Sequence, residues 1–537
     1  MHPYVVEQFT DAEEAVLRRY FTNLEGPVFA LVNLPDVVKG SLFARYSRSS
    51  KSLRRLFLDE FVGDLDLSGD LSVDATVGLD RADDLYQKIF VEYGDDSVAQ
   101  LGGVHLACEQ ASNILTKVLE RGRLMSYLEQ STRYLGYDRR LANGLYRYYR
   151  DHDVLESRWG ARYVGEMDRM FDTYREMLPR MTDFLAKKYP KTAQDTDFVY
   201  RQAIRAKALD AVRGLLPASA LSNLGIYASG QAYEALILRM RAHPLPEVRQ
   251  YSQLMLDELR KVIPSFLKRL DVPSRGIAWT QYLEQTRDAT RQVVASLLNE
   301  LETVEPDEHV RLLAFDPDGE ARVLEAIVFA NSSLSSDEAA RRVAHLDEGQ
   351  RDTLFRAYVG ERQNRRHRPG RAFERTDYRF ELVTDYGAFR DLQRHRLLSI
   401  EWQSLTVDLG YDVPEIVVEA GLGEAYRESL ARSADFYHAL RADFPQQAQY
   451  AVALAFRIRY VMQMNAREAM HLIELRSGPQ GHPSYRRVAH EMVRLIRDEA
   501  GHRRIAAAMS YVDFSETDLE RLEAERAAER NRSKRDN

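Results

Sequence analysis

The 537-residue sequence lacks the features that mark several classes of protein. Its single cysteine, Cys108, excludes an intramolecular disulfide and a zinc site built on several cysteines. No apolar run approaches the ~18 residues of a membrane-spanning helix, and the start, Met1 to Ala15, has neither the basic nor the apolar region of a signal peptide. These absences predict a cytoplasmic protein without a membrane partner.

Neither sign of charge dominates the chain. The 75 lysines and arginines are mixed with 82 aspartates and glutamates, which gives a net charge of −7. A protein that coats nucleic acid would carry a basic excess, so we expect no nucleic-acid partner. The histidines and glutamates follow neither the His-Glu-x-x-His pattern nor a paired-histidine spacing, so we predict no metal site.

One string of residues occurs twice in the chain. The sequence Arg-Gly-Arg-Leu-Met-Ser at 121–126 is matched by Arg-His-Arg-Leu-Leu-Ser at 394–399, and each string continues to a Gln-Ser pair. Both then reach Leu-Gly-Tyr-Asp, at 135–138 and at 409–412. The match predicts a tandem duplication. Because two guanidiniums beside hydroxyl and amide groups suit phosphate, it also suggests that the ligand is a nucleotide.

These blocks resemble the flavin-dependent thymidylate synthases, whose signature is Arg-His-Arg, seven residues and Ser. The second copy fits that signature with Arg394, His395, Arg396 and Ser404. The first copy fits it with Arg121, Arg123 and Ser131, although Gly122 replaces the histidine. A second block of the family, Asn-Ala-Arg followed by Leu-Arg, is matched by Asn465-Ala466-Arg467 and Leu475-Arg476. The first copy keeps only the end of this block, at Leu238–Arg241.

The resemblance implies an α+β, helix-rich fold of two tandem units that form a pseudo-dimer. Each unit would be a small sheet packed with long helices. We expect a first repeat at 1–275, a connecting helix at 276–300, a second repeat at 301–515 and a charged tail at 516–537. A homodimer of such tandem chains would contain the four folds that the family assembles.

The two copies have lost different parts of the family pattern. The first copy keeps the Glu-x-Ser-x-Arg of the signature as Glu129, Ser131 and Arg133, and it keeps Arg213 four residues before a proline. The second copy keeps the serine as Ser404 but lacks the glutamate and both arginines, and it retains His395 and the Asn-Ala-Arg block. Since active sites of the family lie where subunits meet, these complementary losses predict a composite site between the repeats.

The reaction implied by the resemblance is the reductive methylation of dUMP to dTMP with methylene-tetrahydrofolate, FAD and NADPH. Arg476 would be the catalytic residue, because it would polarise the uracil ring. The expected substrate-binding residues are Glu129, Ser131, Arg133, Arg213, Arg241 and Ser404. The expected FAD-binding residues are Arg394, His395, Arg396, Asn465, Arg467 and His471. The alternative is a non-catalytic or differently specific relative that binds flavin and nucleotide.

Cys108 is the one residue that could act as a thiol nucleophile. It lies on an apolar stripe with Val104 and Leu115, whose spacing predicts a helix from about Asp96 to Glu120. No histidine stands nearby in the sequence to lower the pKa of the thiol. We therefore predict a buried, structural cysteine.

Periodicity predicts further elements in the second copy. We expect strands at 322–330 and 378–384, a helix that ends at the Arg-His-Arg, and a helix at 448–473. The basic run 362–371 would be a solvated surface or the rim of a cofactor site. His471 would be a core histidine unless it contacts flavin.

Overall fold

The computed structural model describes residues 4–62, 100, 102–298, 309–515, 519 and 521–533, and it divides into two compact units. Unit 1 contains Met1–Glu176, Leu215–Val304 and Glu428–Ala453. Unit 2 contains Met177–Gly214, Glu305–Arg427 and Leu454–Asn537. Each unit therefore combines most of one repeat with a short segment of the other.

Each unit contains one four-stranded antiparallel sheet. In unit 1 the strands are β1 (Val28–Leu31), β2 (Gly103–Ser112), β3 (Met125–Glu129) and β4 (Leu221–Ser229), in the order β1-β2-β4-β3. In unit 2 they are β5 (Val310–Phe315), β6 (Asp377–Asp385), β7 (Ser399–Trp402) and β8 (Arg457–Asn465), in the order β5-β6-β8-β7. The identical strand order agrees with a duplication.

Helices make up most of the rest of the described chain. In chain order they are α1 (Asp11–Leu17), α2 (Asp36–Tyr46), α3 (Leu53–Glu60), α4 (Asn113–Leu119), α5 (His152–Glu156), α6 (Gly160–Lys188), α7 (Asp197–Val212), α8 (Gly230–Arg241), α9 (Pro246–Arg260), α10 (Ala278–Leu298), α11 (Gly319–Ala330), α12 (Ser336–Ala344), α13 (Glu348–Val359), α14 (Tyr386–Leu392), α15 (Glu415–Glu419), α16 (Gly423–Arg441), α17 (Ala466–Arg476), α18 (Pro483–Asp498), α19 (Arg503–Ala508) and α20 (Leu522–Ser533). The fold is α+β and helix-rich, as predicted, and α10 covers most of the expected connecting helix.

The strand register relates the two repeats residue by residue. Gly103 pairs with Ser229 in unit 1, and Asp377 pairs with Asn465 in unit 2. Ser229 and Asn465 each cap the helix that follows, through a side-chain oxygen that accepts a backbone N–H. These two residues are therefore equivalent, and so are the helices α8 and α17.

The segment around Cys108 is a strand, so the prediction of a helix there is wrong. The part of the predicted helix before residue 102 lies, apart from residue 100, outside the described residues. From Gly103 to Ser112 the chain forms β2, and only α4 beyond it is helical. Most of β2 is buried, and a bulge between Cys108 and Ala111 shifts its register, so the apolar residues do not alternate. Cys108 itself is fully buried, which confirms that part of the prediction.

Two predictions in the second repeat are also wrong. The strand expected at 322–330 is part of α11, whose buried Val323, Leu324 and Ile327 have helical spacing. Tertiary packing overrides the β-branched composition of that segment. The helix expected at 448–473 contains β8, in which Ile458 and every second residue after it are buried, and α17 begins only after this strand. The strand at 378–384 lies within β6, as predicted.

No helix among the described residues is both long enough and apolar enough to cross a membrane.

Candidate functional site

The Arg-His-Arg segment follows α14 in unit 2. Asp385 ends β6, and its carboxylate caps α14 by accepting the backbone N–H of Ala388 at 2.9 Å. The helix ends at Leu392, and the motif begins two residues later, at Arg394. His395 is buried, whereas Arg396 is exposed. The sequence correctly predicts a helix that leads into this motif.

A second helix, α17, brings the other motif residues of the second repeat to the same unit. Its N-cap is Asn465, whose side chain accepts the backbone N–H of Glu468 at 2.9 Å. Glu468 and His471 are three residues apart and therefore lie on one face, where His471 Nδ1 is 3.3 Å from Glu468 Oε2. Arg476 is the last residue of the helix.

Arg213 joins unit 2 although it belongs to the first repeat. It begins a short 3-10 helix after α7, and its side chain is only 5% exposed. Its Nη1 is 3.8 Å from Asp391 Oδ2, while its buried Nη2 has no hydrogen-bond partner among the residues that the structure describes. A Cβ on Gly387 would stand 2.9 Å from that Nη2. A larger residue at position 387 would therefore crowd both the guanidinium of Arg213 and the carboxylate of Asp385.

Asp391 is the point where three arginines converge. Arg394 Nη1 and Arg476 Nη1 each lie 3.8 Å from its Oδ1, opposite the Oδ2 that faces Arg213. All three separations are longer than a charge-assisted hydrogen bond. The carboxylate of Asp385 also interacts electrostatically with Arg213, so the cluster combines three guanidiniums with two nearby carboxylates. Such a cluster is suited to a dianion such as a phosphate monoester.

His395 links this cluster to Glu468. Arg476 Nε donates to His395 Nε2 at 3.0 Å, and His395 Nδ1 is 3.1 Å from Glu468 Oε1. Burial lowers the pKa of His395 to about 4, so its imidazole is neutral near pH 7. Burial alone would raise the pKa of Glu468, but hydrogen bonds with His395 and His471 hold that pKa below its usual range.

The same three side chains form a possible metal-binding cluster that the sequence spacing did not reveal. The donor atoms of His395, Glu468 and His471 lie within 4.8 Å of one another, and imidazole and carboxylate are common ligands of divalent metals. Spacing in sequence could not find this set, because His395 and Glu468 are 73 residues apart. The absence of a metal site stays a prediction.

The other candidates of the second repeat are placed less centrally. Arg467 Nε donates to the carbonyl oxygen of Pro369 at 2.9 Å, so part of this guanidinium is engaged within the unit. Ser404 is exposed. Within the basic run 362–371, Arg362 is only 3% exposed and pairs with Glu474 at 2.6 Å. Arg362 is therefore neither solvated surface nor a cofactor rim.

The candidates of the first repeat, apart from Arg213, lie in unit 1. Glu129 is at the end of β3 with a fully buried side chain, and its Oε2 is 3.2 Å from Lys117 Nζ. Ser131 Oγ accepts the backbone N–H of Arg133 at 3.2 Å. Arg241 donates to the backbone carbonyl of Leu270 at 2.9 Å and to Asp271 at 3.1 Å. Glu129, Ser131 and Arg133 are therefore neighbours along the segment that ends β3. Arg241 contacts other residues, Leu270 and Asp271.

Comparison with known families identifies the chain. The family model described as thymidylate synthase complementing protein matches residues 45–265 and again residues 311–500, which together make up most of the sequence. The chain belongs to this family. The double match agrees with the duplicated motifs and with the two sheets of identical strand order.

Relatives in this family match along nearly their whole length. A UPF0159 protein of Chlamydia muridarum is 38% identical over 523 residues, covering 96% of this chain and 98% of the relative. A UPF0159 protein of Thermoplasma acidophilum is 31% identical over 520 residues, covering 91% and 97%. The solved UMP/dUMP methylase PolB of Streptomyces cacaoi, bound with 5-Br dUMP, is 20% identical with a TM-score of 0.31, over 38% of this chain and 97% of its own.

Within this duplicated family member, the first repeat lacks most of the arginine cluster. The helices α4 and α14 correspond, so Val118 stands at the position of Asp391 and Gly122 at that of His395. The helix caps likewise place Met240 at the position of Arg476. Unit 1 therefore keeps Arg121 at the position of Arg394 but has no counterpart of Asp391, His395 or Arg476.

Proposed function

We propose that this protein is a flavin-dependent thymidylate synthase that methylates dUMP reductively to dTMP, with its nucleotide held at the arginine cluster of unit 2. The observation that carries the proposal is the convergence of Arg213, Arg394 and Arg476 on Asp391. Membership of the thymidylate synthase complementing protein family supports the reaction class. Methylene-tetrahydrofolate would supply the carbon, and NADPH the reducing equivalents.

The residues of the cluster would divide the nucleotide between them. Arg213 and Arg394 would compensate the charge of the phosphate, because guanidiniums form charge-assisted hydrogen bonds to phosphate oxygens. Arg476 would donate to the uracil carbonyls and stabilise the negative charge that develops on the ring, since fixed donors in a partly buried site act strongly on such charge. Ser131 and Arg133 remain proposed contributors to the phosphate side.

The residues present fit a flavin in part. Arg394, Arg396 and His471 are partly or well exposed and offer cations or donors that suit a diphosphate. Asn465 caps a helix, and both ring nitrogens of His395 are in hydrogen bonds within the protein. Bound FAD would carry a hydride between reductant and substrate. The residues of this chain would bind and orient it.

One observation favours the second candidate, a nucleotide- and flavin-binding protein without synthase activity. The carboxylate of Glu129, which the family pattern assigns to the substrate, is fully buried against Lys117. A carboxylate in such a pair is not presented to a ligand. If turnover is absent while dUMP and FAD bind, this second function becomes the better description.

The test is binding and turnover of dUMP by the FAD-loaded protein and its arginine variants. Arg213→Ala and Arg476→Ala should each weaken dUMP binding roughly tenfold or more, because each removes a charge-assisted contact. The two losses should be non-additive by at least ~0.5 kcal/mol, since both residues would share one ligand. Arg341→Ala, an exposed arginine of α12 in the same unit, is the control and should bind normally.

The proposal would be abandoned if Arg213→Ala and Arg476→Ala bound dUMP as the control does. Flavin is tested separately by absorbance. Arg394→Ala and Arg396→Ala should release FAD, while Arg121→Ala should have a smaller effect because the first repeat lacks the histidine of the motif. Equal flavin loss from both repeats would show that the flavin site is not confined to the second.

A further inference from the structure

Arg476 is held by a chain of two hydrogen bonds that ends on a buried carboxylate. Its Nε lies 3.0 Å from His395 Nε2, and His395 Nδ1 lies 3.1 Å from Glu468 Oε1. The side chains of His395 and Glu468 are 2% and 3% exposed, so both bonds are shielded from water. A second anchor is the backbone carbonyl of Asp391, which accepts a bond from Arg476 Nη2.

The chemistry of the guanidinium selects one tautomer of His395. Arginine Nε always carries a hydrogen and cannot accept, so His395 Nε2 must be the acceptor. A neutral imidazole with an unprotonated Nε2 carries its hydrogen on Nδ1, where the acceptor is the carboxylate of Glu468. The other tautomer, or a charged imidazolium, would place an N–H of His395 against the N–H of Arg476.

The position of Glu468 is fixed by the fold. It occupies the first turn of α17, where its backbone N–H is bound by the cap residue Asn465 at 2.9 Å. The N-terminal turn of a helix favours a negative charge. His471, one turn later, also contacts the carboxylate, at 3.3 Å from its Oε2. Glu468 is therefore a rigid, ionised acceptor.

We propose that Glu468 and His395 are positioning residues that hold Arg476 in the orientation needed to bind and polarise the pyrimidine ring. The role of Arg476 towards the pyrimidine ring rests on the proposed function, whereas the hydrogen bonds from Arg476 through His395 to Glu468 do not. His395 then acts on the substrate through Arg476 and has no ring nitrogen left for a flavin. The guanidinium is fixed along its Nε edge and at Nη2, which leaves its orientation little freedom.

The hydrogen bonds from Arg476 through His395 to Glu468 also bear on metal binding at His395, Glu468 and His471. A metal bound at His395 Nδ1 would displace the hydrogen from that atom to Nε2, where it would face the N–H of Arg476. The contact with Arg476 therefore opposes coordination. Zn²⁺ that bound stoichiometrically to the wild type, but not to Glu468→Ala, would overturn the proposal in favour of a metal site.

The first experiment is ¹⁵N NMR of the histidine side chains in the full chain, with the His395 signals assigned from their loss in His395→Gln. We expect a neutral ring that is protonated on Nδ1 and unprotonated on Nε2, and Arg476→Ala should disturb this pattern. A His395 ring protonated on Nε2, or on both nitrogens near pH 7, would show that the proposed hydrogen bonds from Arg476 to His395 and from His395 to Glu468 do not exist. This readout does not depend on dUMP binding, so it stands even if the proposed function fails.

The second experiment measures dUMP binding in variants of the two carboxylates on α17. Glu468→Ala should weaken binding about tenfold, because Arg476 loses its orientation. Glu468→Gln keeps an acceptor oxygen and should recover most of the affinity. Glu474→Gln is the matched control, since Glu474 is equally buried on the same helix but pairs with Arg362. It should bind dUMP as the wild type does.

The decisive comparison is made in the Arg476→Ala background. There, Glu468→Ala should cause no further loss of dUMP affinity, because the residue that it positions is gone. An equal loss in both backgrounds, or an equal loss from Glu468→Gln and Glu468→Ala, would mean that Glu468 does not act through Arg476. If the wild type itself binds no dUMP, the proposed function fails. The NMR result alone then decides whether His395 links Arg476 to Glu468 by hydrogen bonds.

Discussion

Replacing Asp391 by asparagine should destabilise unit 2 by electrostatic repulsion while preserving the shape of the side chain. The carboxylate lies 3.8 Å from each of Arg213, Arg394 and Arg476. At such a distance two unit charges interact by about 4 kcal/mol at an effective dielectric constant of ~20. Asp391→Asn removes all three attractions and leaves three guanidiniums facing a neutral amide.

The net effect is smaller than the sum of these attractions, because side chains relax and water screens the charges. Breaking a buried ion pair typically costs about 3–5 kcal/mol, and the side chain of Arg394 is 31% exposed. We therefore expect the free energy of unfolding to fall by about 2–3 kcal/mol. For a unit of this size that corresponds to a Tm lower by roughly 4–12 °C.

The assay is urea unfolding at low and at high phosphate concentration. Phosphate at about 100 times its Kd would stabilise the folded state by about 2.7 kcal/mol, and it should bind Asp391→Asn more tightly because the competing carboxylate is gone. The gap between variant and wild type should therefore shrink as phosphate is added. Asp498→Asn is the control, since its pair with Arg497 is exposed to solvent and should contribute little to stability.

Two results would refute this reasoning. If Asp391→Asn unfolds at the same urea concentration as the wild type, the three arginines do not depend on that carboxylate. If it is destabilised equally at all phosphate concentrations, phosphate does not take the place of the lost carboxylate, and the cluster is not an anion site.

Three further predictions concern other buried groups. Burial raises the pKa of Glu247, which is hydrogen-bonded to Ser112 and Tyr450, to about 7. Because this pKa is higher in the folded than in the unfolded state, the free energy of unfolding should fall by roughly 3 kcal/mol as the pH rises from about 4.5 to 7. Urea unfolding of Glu247→Gln should lack that dependence on pH. Cys108→Ser should keep dUMP-dependent turnover at a stability cost of about 1–3 kcal/mol, since burial raises the pKa of the thiol; a nucleotide adduct on Cys108 would contradict this. Gly387→Ala should weaken dUMP binding in titration calorimetry, because the new Cβ would displace Arg213; unchanged affinity would remove Arg213 from the site.

The elements of the fold were predictable where the local sequence pattern fits only one type of secondary structure. The helix before the Arg-His-Arg motif and the strand at 378–384 were both found from the sequence, because a helix start marks the first and a run of β-branched and aromatic residues marks the second. The sequence pattern did not reveal β2, because this strand is buried along most of its length and carries a bulge. It did not reveal β8, because the alternation of buried and exposed residues in this strand lies between two helical segments.

The sequence by itself determined the duplication, the family and the residues from which a site could be built, because these depend on blocks of neighbouring residues. The tertiary structure decided which of those residues meet. It joins Arg213 of the first repeat to Arg394 and Arg476 of the second, through a segment that packs in unit 2. It also places Asp391 beside these arginines and Glu468 beside His395, two acidic residues that no motif marks. Contacts between residues far apart along the chain follow from the packing of whole elements, and no local period or cap encodes them. The homodimer, and the contribution of Ser131 and Arg133 to a composite site, stay predictions for the same reason.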